Sequence, residues 1–269
     1  MATRYPFLLS IPHGGDAVPP EVKDRVRMTE RDIFYDGDTL TREIYDFRDR
    51  VEAFIEMPIA RAIVDVNRAP DDRPPGNPDG VVKTVTTNGT SVYKQGSFPD
   101  DALIDQLLHR YYFPYHEAVD ALLKNTTIKL ALDCHSMLPF APPIDDNAGQ
   151  PRPLLCLSNW GDDQGMPTEA HGFVTCPPEW IQTLADSFRR VFADNGGVAI
   201  NSPFVGGYIS RAHYLQRGIP WIQIELNRKL YVNDVNVDPQ KRVVKKAIIQ
   251  RVREKIFNAL IQFWTAVSD

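Results

Sequence analysis

Apolar positions along this chain gather in short continuous runs, and stretches of helical spacing lie between them. Residues 5–12 (YPFLLSIP) form one run, which closes in Pro12-His13-Gly14-Gly15. A run of that length ending in turn residues predicts a buried strand and a tight turn. Similar runs predict strands over 61–66 (RAIVDV), 128–133 (IKLALD), 153–158 (PLLCLS) and 219–226 (IPWIQIEL). Helical patterns predict a helix over 38–49 capped by Asp38 or Thr39, and another over 100–124. The second carries Leu103, Leu107, Tyr111, Val119 and Leu122, with Pro114 expected to kink or divide it. Pro178 opens a helix to about Asp194 that Asn195-Gly196-Gly197 ends, and Pro239 opens a long C-terminal helix.

The segment 67–98 follows neither pattern. Its first part (NRAPDDRPPGNPDG) is too rich in Pro, Asp and Gly for a helix, and the β-branched residues flanking Asn88-Gly89 predict a hairpin. A long loop with a hairpin is the expected form of a lid or binding edge. Elsewhere, strands that are apolar throughout alternate with helices. That predicts an α/β fold with a central, largely parallel or mixed sheet covered on both faces. With no repeat or linker, residues 1–269 are expected to form one domain with a lid-like insertion.

Composition narrows the function. The net charge of −5 over 269 residues argues against nucleic acid or an anionic membrane as partner and leaves small anionic substrates open. Cys134, Cys156 and Cys176 are odd in number and widely spaced, so no disulfide framework is expected. The N-terminus lacks a secretory pattern and no apolar run reaches the length of a membrane span, so a cytoplasmic location is expected.

Six groups of residues carry candidate chemistry. His13 stands on the turn after the first strand, where ligands gather in open α/β sheets. Asp133 and His135 share a face at the end of another strand, Asp133 placed to orient the imidazole. Two histidines need a third, acidic partner to hold a catalytic zinc; Asp38 is the first choice and Asp36 the second. The competing reading of Asp38 is a helix cap. Glu225 lies within an apolar strand, where a carboxylate is costly unless paired or functional, and suits a general base. Arg68, beside Asn67 and the irregular segment, suits a clamp on a substrate carboxylate, with Arg61 a further candidate. Tyr208 and Arg211 follow Gly206-Gly207 on a loop suited to closing over a substrate. His109 and His116, seven apart on the helix that carries Pro114, are expected to be packed or solvent-facing, and His171 and His213 show no legible partner.

Six motifs, in order, resemble the N-formylglutamate amidohydrolase family: SIPHGG, DGDTLTREIYD, VDVNRAP, DCHSM, NSPFVGGYISR and IQIELNRKLY. The family is similar to zinc carboxypeptidases and aspartoacylases. The resemblance implies a three-layer α/β/α fold around a mixed, mostly parallel sheet. It also implies one divalent metal ion, zinc, on His13, Asp38 and His135, with Glu225 as base. Asn67-Arg68 and Arg61 would bind the carboxylate of a small acidic N-acyl amino acid, with N-formyl-L-glutamate as the family's example. A zinc carboxypeptidase or another deacylase, and a non-catalytic anion-binding protein on the same fold, are the alternatives.

Overall fold

The computed structural model describes residues 4–143, 145–193, 197–232, 237–238 and 243–268. In chain order the elements are β1 (Tyr5–Ile11), α1 (Glu30–Asp36), α2 (Thr41–Ile44), β2 (Val51–Glu56), α3 (Asp101–Leu107), α4 (Phe113–Leu122) and β3 (Leu130–Met137). They continue with β4 (Leu155–Ser158), α5 (Pro178–Val191), β5 (Val198–Ile200), α6 (Tyr208–Arg217), β6 (Trp221–Asn227), β7 (Val237–Asp238), β8 (Val243–Val244) and α7 (Lys246–Ser268).

Six strands form one sheet in the order β2-β1-β3-β6-β4-β5. Only the β4–β6 pairing is antiparallel, so the sheet is mixed and mostly parallel. Strand residues alternate between two cores. Leu9, Leu132, Cys134, Ile222 and Ile224 pack with α2, α5 and α7 on one face; Leu8, Ala131 and Trp221 pack with α3, α4 and α6 on the other. This is the expected three-layer α/β/α arrangement. Its strand interiors are apolar on both faces because helices cover both. The polar exceptions include Ser10, Asp133, His135, Gln223 and Glu225, all buried, with Ser10, His135 and Glu225 in the carboxyl-terminal halves of β1, β3 and β6.

Four expectations need correction, the first being the helix over 38–49, which is only the four-residue α2 (Thr41–Ile44) followed by turns. Residues 61–66 are buried but form successive turns, not a strand (Ile63 N donates to Ala60 O at 2.9 Å, and Arg68 N to Asp65 O at 3.2 Å). The strand beside β1 is instead β2, whose VEAFIE sequence alternates as an edge strand does. The hairpin at Asn88-Gly89 reduces to a turn with one bridge, Val85 to Ser91, and Gly89 at φ +77°. The helix over 100–124 divides as expected but not at Pro114 itself. A π turn over Leu108–Tyr112, closed by Phe113 N–H donating to Leu108 O, precedes α4, in whose first turn Pro114 lacks a donor. The buried positions along this stretch are Ile104, Leu107, Leu108, Tyr112, Tyr115 and Val119.

The C-terminal helix buries Val252, Ile256, Leu260 and Phe263 as its spacing predicts; Pro239, Asn195 and Gly196 lie outside the described residues. All three cysteines are buried and free. Among the described residues no helix is long and apolar enough to cross a membrane.

Candidate metal centre and substrate cavity

His13 leaves the end of β1 on a turn that its glycines permit. A Cβ on Gly15 would sit 2.4 Å from Met57 O and Pro58 O, and one on Gly14 would sit 2.6 Å from Arg42 Cγ. The missing side chains let this turn press against backbone and bring Asp38 N to His13 O at 2.9 Å. Leu40, in a left-handed conformation at φ 61°, then turns the chain into α2. A non-glycine residue held there costs on the order of 1 kcal/mol and fixes the loop that carries Asp38. Asp38 does not cap α2: its Oδ2 accepts from Ser136 N at 3.0 Å and lies 3.0 Å from His135 Nδ1.

His13, Asp38 and His135 thus meet. Each offers one ligand atom, and these atoms lie within 4.8 Å of one another, with the imidazole centroids 4.7 Å apart. Asp36 is not part of this group. It lines the same cavity, its Oδ1 accepts from Thr87 N at 3.4 Å, and burial raises its pKa.

The donor set fits a cation. His13 Nε2 lies 2.7 Å from Asp65 Oδ1, so it carries the proton; Nδ1 is buried beside Asp38 with no hydrogen-bond partner. Burial, helped by the Arg61 charge and opposed by Asp65, pushes His13 down to about 4, leaving a neutral imidazole with a free lone pair. His135 is held between two carboxylates, Asp38 on Nδ1 and Asp133 Oδ2 at 3.0 Å from Nε2. Burial disfavours its charge, but Asp133 and Asp38 outweigh that and hold its pKa well above the ordinary value. Burial alone would raise Asp38, yet the His135 hydrogen bond and the charges of His135 and Arg61 hold its pKa below the usual carboxylate range.

Around this group lies a cavity of about 370 Å³. Glu225 lines it, paired in register with His135 across β3 and β6, and its Oε1 accepts from Gln223 Nε2 at 3.1 Å. Burial pushes Glu225 up to about 7, with Asp38 adding to the rise and His135 opposing it. Arg61, Asn67 and Arg68 also line the cavity. Arg61 reaches Asp65 Oδ2 at 3.3 Å and Asp38 Oδ1 at 3.7 Å. Asn67 Nδ2 lies 3.3 Å from His135 Nε2, and Arg68 pairs with Asp79.

Tyr208 and Arg211 are not among the cavity-lining residues. The Tyr208 ring stands against His116, and Arg211 lies over Trp160 at 4.0 Å. Their loop reaches the site through Gly207 instead, whose added Cβ would meet the Asn67 side chain at 2.2 Å. His116 and His213 do have partners, in a buried chain from Asp120 through His213 and His116 to Val66 O, with steps of 2.8, 2.9 and 3.0 Å.

Sequence reasoning assigned no role to four charged residues at the site. Asp65 accepts from His13, Arg61, Lys83 and the Asn67 N–H. Lys83 is fully buried against Asp65 and Asp79. Arg228 donates to Ser136, to Tyr35 O and to Asp38 Oδ1. Arg152 lines the cavity beside Asp145. Asp65 and Lys83 each stand inside an apolar run (IVDV, VVKT), the same signal that singled out Glu225.

Comparison with known proteins gives concordant matches. The sequence model described as N-formylglutamate amidohydrolase matches residues 5–232. The chain is 27% identical over 242 residues to an N-formylglutamate deformylase of Pseudomonas putida, covering 86% of this chain and 83% of that one. The homologous deformylase of Pseudomonas aeruginosa is 27% identical over 248 residues, covering 86% and 84%. Among solved structures, the N-formylglutamate amidohydrolase of Ralstonia eutropha superposes with a TM-score of 0.75 at 20% identity, covering 99% of this chain and 96% of that chain. A gene product of Agrobacterium tumefaciens gives 0.64 at 18% identity over 100% and 94%. These superpositions bear on the fold alone.

Proposed function

The chain belongs to the N-formylglutamate amidohydrolase family, and from that premise we propose that it hydrolyses N-formyl-L-glutamate to formate and L-glutamate, with one divalent cation, zinc, on His13, Asp38 and His135. The observation that carries this reading is the buried, unpartnered Nδ1 of His13 within ligand reach of Asp38 and His135. When bound there, a cation supplies polarisation of the amide oxygen and a lowered pKa for the attacking water.

The chain's own residues do the rest. Glu225, with a pKa near 7, takes a proton from the attacking water and returns it to the departing nitrogen, which leaves as an amine. The Gln223 amide holds the Glu225 carboxylate in place. Asn67, beside His135, and the neighbouring Arg68 on the cavity wall orient the α-carboxylate so that the formyl carbon faces Glu225. Arg61 has a buried Nε without a partner, which suits it to the amide oxygen as charge develops there.

The test is formate release by purified protein before chelation, after chelation and after zinc is restored, with N-acetyl- and N-succinyl-L-glutamate alongside. Activity on the formyl substrate that disappears and returns with the metal supports the reading. Zinc-loaded protein that releases no formate refutes it.

A further inference from the structure

We infer that Arg152 binds the distal carboxylate of the substrate, and that Asp145 occupies its guanidinium until that carboxylate displaces it. The inference rests on the amide-hydrolase reading above and adds the basis of selectivity for an acidic amino acid.

Among the described residues four arginines line the cavity. Arg228 is spent on Ser136, Tyr35 O and Asp38. Arg61 is shared between Asp38 and Asp65. Arg68 pairs with Asp79 and adjoins in the chain Asn67, which touches His135, so the Asn67-Arg68 pair is assigned the carboxylate nearest the amide. A dicarboxylate substrate needs a second cation, and Arg152 remains.

Its environment is that of a prepared anion site. The Arg152 side chain is 8% exposed, its guanidinium lies over the Phe204 ring at 4.9 Å, and its Nε is buried without a hydrogen-bond partner. Nη2 donates to Asp145 Oδ2 at 2.6 Å. The Nε–Nη2 edge, which a carboxylate grips with two parallel bonds, is therefore half taken by Asp145 and half buried without a partner. Asp145 is 33% exposed and can turn to water when displaced. The backbone of Arg152 is fixed: its N–H donates to Pro139 O at 2.9 Å and its carbonyl accepts from Asn227 Nδ2 at 3.3 Å. A fixed guanidinium loses little entropy on binding a ligand.

The test compares N-formyl-L-glutamate with N-formyl-L-norvaline, which ends in a methyl group where glutamate has its distal carboxylate. Zinc-loaded wild type, Arg152→Met and Arg152→Lys are assayed for kcat/KM on both, and the affinities for glutarate and butyrate are measured by calorimetry. The ratio of kcat/KM for the two substrates is expected to fall about 100-fold in Arg152→Met and by less in Arg152→Lys, which keeps the charge but loses the fork. A structural defect would lower both substrates together and leave the ratio alone. An unchanged ratio overturns the inference, while formate release by wild type would still uphold the parent reading. If wild type releases formate from neither substrate, the parent reading falls and glutarate decides. Binding that weakens at least 10-fold in Arg152→Met supports the site, and equal or absent binding overturns it.

Discussion

His13 Nε2 lies 2.7 Å from Asp65 Oδ1, and that contact settles which nitrogen of His13 faces the cavity. With the proton fixed on Nε2, Nδ1 keeps its lone pair toward Asp38 and His135. Asp65 is itself held by Lys83 Nζ at 2.9 Å, Arg61 Nη2 at 3.3 Å and Asn67 N at 2.9 Å. Asp65→Asn keeps the shape and removes the charge, so zinc affinity should fall about 10–100-fold, measured by competition with a chromophoric chelator. Wild-type affinity in this variant would show that Asp65 does not set the His13 lone pair.

Lys83 illustrates the cost of that arrangement. It is fully buried, and its ammonium group answers Asp65 and Asp79. Lys83→Met leaves a buried carboxylate short of a counter-charge, so unfolding in urea should show a loss of about 3–5 kcal/mol. A loss below about 1 kcal/mol, the range of an exposed pair, would contradict the account of Lys83 as a buried counter-ion.

Glu225→Gln should lower turnover at least about 100-fold while zinc stays bound, read by assay and by elemental analysis. The same variant has a pH signature in the metal-free protein. Burial raises Glu225 from 4.5 to about 7, so its contribution to stability is complete below 4.5 and is lost as pH rises to 7. His13, lowered from 6.5 to about 4, works the other way: its contribution is present above 6.5 and is lost as pH falls toward 4. Both proteins keep His13, so the difference between them isolates Glu225. Glu225→Gln should gain stability over wild type steadily between pH 4.5 and 7; a flat difference contradicts the raised pKa.

Gly15→Ala tests the turn. The new methyl would sit 2.4 Å from Met57 O and Pro58 O, and backbone atoms cannot rotate away as a side chain can. The variant should lose about 1–3 kcal/mol of stability. It should also lose zinc affinity, because relief of the clash moves His13. Full zinc affinity in a destabilised variant would separate the turn from the site.

Much of the fold was legible because β1, β3 and β6 are buried on both faces and read as apolar runs. The same rule misread 61–66. Ala62, Ile63, Val64 and Val66 are buried, but in turns, and burial without period does not distinguish a turn from a strand. That error hid a relationship: in turns, Arg61 and Asp65 become neighbours four residues apart. His13, His135 and Glu225 stand out as candidates from strand ends and from charge in an apolar run, whereas Asp38 came from the need for an acidic third ligand and from the family resemblance, and its meeting with the two imidazoles comes from the loop that Leu40 turns. Arg152 does not stand out, because it lies on an irregular segment and its relation to the cavity comes from tertiary contacts with Asp145 and Phe204. Tyr208 and Arg211 stand off the cavity lining, against His116 and Trp160, because a loop motif fixes neither the rotation of the helix that follows nor the stacking of Arg211.

The central claim is that His13, Asp38 and His135 together hold one divalent cation. Anomalous diffraction at the zinc edge, from crystals grown with zinc, tests it most directly. The account predicts one strong peak about 2.0–2.2 Å from His13 Nδ1, an Asp38 carboxylate oxygen and His135 Nδ1. A peak on other residues, or none between the two imidazoles at full zinc occupancy elsewhere, would contradict it.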